Sequence, residues 1–388
     1  MPDERDGASD TQKGPPAGGA GLGLGSGAEE QKAAGRKPKS RRQSPSRLRP
    51  DRRPIDWENI SDEELLRKRI CDLPLSIEGT ELEERIQTVY GELEARGILF
   101  RPEVYLGDEW FSPEGDPVIS IPFYLAHPRL IRLQRSRVLE AEGETRAWFL
   151  QLLRHEMGHA LMHAYGLHRS RGYRKVFGKS SQPYPEKVRT RPYSRKYVRH
   201  LEDWYAQSHP DEDFSETFAV WLTPDIDWHE QYAGWGALKK LELVDRMMSG
   251  IRGRKPKKRT GPKYRRLSKI RMTIAQYHRI TRKALEEDFP DFFDGDLKAI
   301  FSPEGGADGE RAAKFLRRHR RMLVRGIAQW TGEKRYTIHH LVTRFAERCA
   351  ELGLYVHLPE SETLAQASAC LTAMAAHYFL TGKFKRRL

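Results

Sequence analysis

A chain of 388 residues, 38% hydrophobic and 31% charged, is long enough for two domains of ordinary size, each with its own core, so a metal is not needed to hold the fold together. No run of about 18 apolar residues occurs, which excludes a membrane-spanning helix. The net charge of +14 favours a polyanion such as nucleic acid, or an acidic protein surface, through long-range attraction. Cys71, Cys349 and Cys370 are widely spaced and include no CxxC pair, which argues against a disulfide framework and against a cysteine zinc site. The first residues lack the apolar stretch of a secretory leader, which points to a cytoplasmic protein.

Residues 1–54 are rich in Gly, Pro, Ser, Lys and Arg and hold too few large apolar side chains to offset ordering entropy, so a disordered basic tail is expected there. From Trp57 the pattern turns globular. Leu82, Ile86, Val89, Tyr90 and Leu93 recur at helical spacing up to a stop at Gly97. The stretches 98–105 and 118–124 are rich in β-branched and aromatic residues and predict a small sheet, with Ser112-Pro113-Glu114-Gly115-Asp116 as turn chemistry between them. Helical spacing returns over 144–165, where Trp148, Phe149, Leu152 and Leu153 lead directly into Arg154-His155-Glu156-Met157-Gly158-His159-Ala160.

Residues 167–200 combine many Arg and Lys with Tyr173, Tyr184, Tyr193 and Tyr197, and Pro183, Pro185 and Pro192 discourage regular structure, so a long loop or lid is expected. Phe214, Phe218, Ala219, Trp221 and Leu222 predict a further helix ending at Thr223-Pro224, and 235–248 another. The first domain, 55–250, closes there. Eleven Lys or Arg in 252–271 mark a basic linker or docking strip, and 272–388 reads as a helical C-terminal domain interrupted near 302–306. The fold class expected is α+β: a small sheet with helices, then an all-α region.

In a helix, His155 and His159 lie on one face a turn apart, so their imidazole nitrogens can converge on one metal ion. Glu156 is displaced around the helix towards a water that a zinc ion would acidify, and is the candidate general base. A catalytic zinc takes three protein ligands, so a third is needed downstream. Met162 and Tyr165 occupy the places where a metzincin carries Gly and His, which removes that arrangement. His163, His168 and His200 are nearby histidines, His163 being a turn farther along the same helix. The remaining candidates lie in Asp211-Glu212-Asp213-Phe214-Ser215-Glu216, at the start of the next helix.

This acidic segment resembles the gluzincin pattern, in which a Glu on a second helix is the third ligand and an acidic residue four positions later orients a motif histidine. The resemblance implies Glu212 as the Zn2+ ligand and Glu216 as its supporting residue, with Asp213 or Glu216 as alternative ligands. It also suggests Tyr205, seven residues before Glu212, as a phenol facing the developing oxyanion. His209, Tyr232 and His229 could serve equally. The runs Glu109–Pro113 and Ile121–Pro128, the His-Glu motif, His209-Pro210 with 212–219, and 234–247 together resemble the putative zinc-binding metallopeptidase family. The resemblance covers roughly 80–250 and implies a zincin-like fold and an HExxH peptidase acting on peptides or proteins. The 53-residue separation of His159 and Glu212 exceeds the interval in compact gluzincins.

Zincins bind extended peptides at a sheet edge, and Ile119–Phe123 is the candidate edge, consistent with Pro122. A second reading is a nucleic-acid-associated protein with a structural or vestigial zinc site, which would use the basic segments 36–53 and 252–271. Within the latter, Arg252-Gly253-Arg254-Lys255-Pro256 resembles an AT-hook, with Lys255 departing from the usual core. The intact Glu156 favours the enzyme, because a structural zinc site has no use for a general base.

Overall fold

The computed structural model describes residues 57, 59–185, 191, 193–201, 204–286, 294–305 and 309–381. The expected tail 1–54, with its basic segment 36–53, lies outside them. The chain opens with α1 (Asp62–Leu66) and α2 (Glu81–Ala95), followed by β1 (Glu103–Gly107), β2 (Val118–Pro122) and α3 (Pro128–Val138). Then come α4 (Arg146–Tyr165), α5 (Arg171–Val176), α6 (Pro210–Leu222), α7 (Trp228–Gln231) and α8 (Leu238–Ile251). The last helices are α9 (Ile274–Leu285), α10 (Asp294–Ile300), α11 (Ala312–Thr331), α12 (Arg335–Glu351) and α13 (Glu360–Thr381). The molecule is thus mostly helical, with a small sheet.

Local chemistry explains the elements that frame the site. The Thr80 side chain accepts from Leu82 N to start α2, three Glu residues favour its N-terminal dipole, and Leu82, Ile86, Val89, Tyr90 and Leu93 face inward. Thr145 caps α4 in the same way, and Gly166 ends it in the left-handed region at φ 68°. Between these caps almost every residue from Phe149 to Tyr165 is buried, as expected for a helix that is apolar all round and lies at the centre of a domain. α4 packs against α2, α6 and β2. Arg154 ties it to α2 through paired hydrogen bonds to Glu92 of 2.8 and 2.6 Å, which satisfies a buried guanidinium.

The small sheet consists of two strands. β1 and β2 pair in parallel, Glu103 opposite Val118 through Gly107 opposite Pro122, so the connection 108–117 crosses back over the pair instead of forming a hairpin. Trp110 on this connection is buried and donates to Glu142 O, while Phe111 exchanges backbone hydrogen bonds with Ser120 of 3.2 and 2.8 Å. Ile119 and Ile121 turn their backbone groups to β1 and Ser120 is taken by Phe111. β2 is thus an edge of a two-stranded sheet, and the candidate edge at Ile119–Phe123 is occupied at Ser120 by the bridge to Phe111.

Buried apolar side chains separate into two clusters. The first takes in α2, β2, α4, α6 and α8 and continues to Ile270, Ile274 and Tyr277; the second runs from Leu297 to Tyr378. The divide between them falls after Tyr277 and before Leu297, and α9 packs on α1 and α3 and also on α12. Strip 252–271 is docked on the first cluster. Lys257 N and Lys258 N donate to Ala164 O near the end of α4, and Lys258, Lys263 and Arg265 form ion pairs with Asp116, Glu103 and Asp108. Gly253 N donates to Gly97 O. These cations are engaged by acids of the same chain, which removes them from the free basic surface that the nucleic-acid reading requires.

Candidate metal centre

The site forms where α4 and α6 cross. Their approach is close because position 158 carries no side chain: a Cβ on Gly158 would stand 2.8 Å from Ser215 Cα, inside any real contact. α6 begins at His209, whose Nδ1 accepts from Asp211 N, and Pro210 fits the first turn, where its missing N–H costs nothing. Phe214, Phe218 and Trp221 anchor the opposite side of α6. The acidic face of its first two turns is thereby pressed against the histidines of α4.

His155 Nε2 and His159 Nε2 are 3.2 Å apart, and each is 3.0 Å from Glu212 Oε2. All three residues are buried and form one group able to hold a metal ion. Zinc–ligand bonds of about 2.0–2.1 Å in a tetrahedral arrangement would separate neighbouring ligand atoms by about 3.3 Å, close to the triangle seen here. The electrostatics agree. Burial works against charging His155, but Glu212 and Glu216 outweigh it and hold its pKa up at about 10. Burial likewise raises the Glu212 carboxyl, and His159 and His155 overcome this to hold it well below the ordinary carboxylate range. A field that retains positive charge at this point suits a divalent cation, and two imidazoles with one carboxylate are a zinc donor set.

Glu216 lies behind the triangle. Its Oε1 is 2.8 Å from His155 Nδ1, and its Oε2 accepts from Leu201 N at 2.8 Å. With the imidazole proton on Nδ1 donated to Glu216, the Nε2 lone pair is directed at the site. Glu156 is buried beside the two histidines, and burial raises its carboxyl pKa against the pull of both imidazoles. Tyr205 opens a short 3-10 turn with its ring tilted against His155 at 5.5 Å; the preceding Trp204, at φ 58°, turns it inward from a left-handed conformation rare for a bulky residue.

The alternatives weighed from sequence are placed elsewhere. Asp213 Oδ2 accepts from Lys240 Nζ at 2.6 Å, facing α8. His200 Nε2 donates to Gln151 O, His163 and His168 stack edge to face at 5.4 Å, and His229 is exposed. Tyr232 OH accepts from Arg199 N. One participant was missed. Tyr184, in the basic insert, donates its hydroxyl to Glu212 Oε1 at 2.7 Å. Its sequence signal was slight: one tyrosine among four in the insert, set between Pro183 and Pro185.

The comparison with known families bears on this crossing of helices. Residues 132–255 match a family described as "Putative zinc-binding metallo-peptidase". The matched span includes α4 and α6 with the insert between them, and so contains the whole donor triangle. No curated protein matches the chain, and no solved structure does.

Proposed function

We propose that the chain is a zinc-dependent metallopeptidase of the gluzincin-like HExxH type. In this reading His155, His159 and Glu212 hold Zn2+, Glu216 orients His155, and Glu156 is the general base. The observation that carries the proposal is the buried donor triangle with a carboxylate behind it, formed by residues on two different helices. Bound there, zinc would acidify a water molecule and polarise a peptide carbonyl. Glu156 supplies the proton acceptor: a buried carboxylate whose pKa is raised towards the working pH takes a proton from water and can return it to the leaving amine. His155 stays in the tautomer that presents Nε2 because Glu216 accepts from Nδ1. Tyr205 stands against His155 as a phenol that can donate to a developing oxyanion.

Metal content measured together with cleavage of a peptide library tests the proposal. The wild type is expected to carry about one zinc per chain and to cleave peptides. Glu156→Gln should keep the metal and lose about 10²–10⁴-fold in kcat, the usual contribution of a positioned general base. Undiminished hydrolysis by Glu156→Gln would refute the assignment.

A further inference from the structure

α5 and the insert that follows it are fastened to the N-terminus of α6 by a set of hydrogen bonds that ends on the proposed metal ligand. Tyr173 OH donates to Asp211 Oδ1 at 2.6 Å, and Ser180 Oγ to Asp211 Oδ2 at 2.7 Å. His209 Nδ1 accepts from Asp211 N, which leaves the imidazole proton on Nε2, and Nε2 donates to Gln182 O at 2.9 Å. The His209 ring then supports the Tyr184 ring face to face, with centroids 4.0 Å apart and planes 13° from parallel. Pro185 restricts the backbone of the residue before it, so Tyr184 has little conformational choice. The residue as a whole is 57% exposed, yet its hydroxyl reaches the buried Glu212.

The two oxygens of Glu212 are therefore distinguished. Oε2 is the atom shared with His155 and His159, whereas Oε1 accepts from Tyr184. A carboxylate can ligate a metal through one oxygen or through both, and ligation through both would crowd the position that a catalytic zinc keeps for water, taking the site with its water from four ligand atoms to five. We propose that Tyr184 is a positioning residue that restricts Glu212 to a single ligand atom, so that the insert, and not α4 or α6, keeps the water position open. This rests on the zinc reading above. It gives the unusually long interval between His159 and Glu212 a task, since the added chain supplies the group that fixes the third ligand.

Tyr184→Phe keeps the ring and its stacking on His209 and removes only the hydroxyl. The probe is Co2+ in place of zinc, read by visible absorption, with peptide hydrolysis by the zinc form measured in parallel. In Tyr184→Phe the visible bands should weaken, as they do when the coordination number rises above four, and kcat should fall about 10–100-fold with KM little changed. Tyr193→Phe, an exposed tyrosine of the same insert, should leave both readouts as in the wild type. An unchanged Co2+ spectrum in Tyr184→Phe overturns the positioning role while leaving the zinc assignment standing. A wild type that takes up no Co2+ overturns both. A loss of kcat with an unchanged spectrum also overturns the role, since the phenol would then act on substrate and not through Glu212.

Discussion

At the residue scale the site depends on how each donor is held. Glu216 accepts from both His155 Nδ1 and Leu201 N, so its carboxylate is fixed by two elements at once. Glu216→Gln preserves volume but can present an amide N–H to Nδ1, which disfavours the tautomer the metal needs. Zinc affinity, measured by competition with a chelator, is expected to fall 10–100-fold while the folded helix content is retained. An affinity equal to that of the wild type would show that Glu216 has only a structural role. The pair His155 and His159 was legible from sequence because both lie on one helix, where a four-residue interval fixes their relation. Tyr184 was not, because its relation to Glu212 depends on the fold of a proline-rich insert for which no periodicity holds.

At the scale of elements, the distance between α4 and α6 decides whether two histidines and a glutamate form a ligand set. Gly158 sets that distance. Gly158→Ala improves helix propensity, but its methyl meets the backbone of Ser215, which cannot rotate away. The helices must separate, at a cost of about 1–3 kcal/mol for overpacking. A lower melting temperature together with weaker zinc binding is expected; unchanged zinc affinity would show that the helices can part without moving the donors. The helices themselves were readable from spacing and caps. The parallel pairing of β1 and β2 was not, because alternation and turn residues describe a strand without naming its partner or direction.

α9 offers a pH test remote from the metal. His278 is buried, its Nε2 donates to Gln134 Oε1 at 2.9 Å, and its Nδ1 has no hydrogen-bond partner among the described residues. Burial, with Arg137 and Arg282 nearby, lowers its pKa to about 4 from 6.5. Between these values the unfolded chain binds a proton that the folded one refuses. This contribution to stability is therefore complete above about pH 6.5 and is lost as pH falls towards 4, to a total of at most about 3 kcal/mol. His278→Gln keeps a donor for Gln134 and cannot charge. Chemical denaturation from pH 7 to 4 should show a shallower loss of stability in the variant, and parallel curves would contradict the mechanism.

At the scale of the whole molecule, the described residues form two separate apolar clusters, which are expected to hold the fold without a metal. Zinc bound only by the native state would still add stability through mass action, about 2.7 kcal/mol when free metal is 100-fold above Kd. Treatment with a chelator is therefore expected to abolish hydrolysis and lower the melting temperature while the far-ultraviolet circular dichroism at 25 °C is unchanged. Unfolding at 25 °C on chelation would mean that the metal, and not the core, holds α4 against α6. Of the eleven cations in 252–271, Lys258, Lys263 and Arg265 pair with Asp116, Glu103 and Asp108 of the same chain. Among the described residues no helix is long and apolar enough to cross a membrane.

Sequence alone determined what local interactions determine: the helices and their caps, the two histidines on one helix face, Glu156 beside them, and an acidic first turn downstream. Those features follow from intervals of three or four residues and from side chains that act on their own backbone. Which acid meets the histidines was a tertiary decision. Glu212, Asp213 and Glu216 share one helix, and the roll of α6 on α4, set by Gly158 on one side and Phe214, Phe218 and Trp221 on the other, turns Glu212 to the imidazoles and Asp213 to Lys240. The direction of the strands and the reach of Tyr184 were decided in the same way, because contacts distant in the chain leave no period in the sequence.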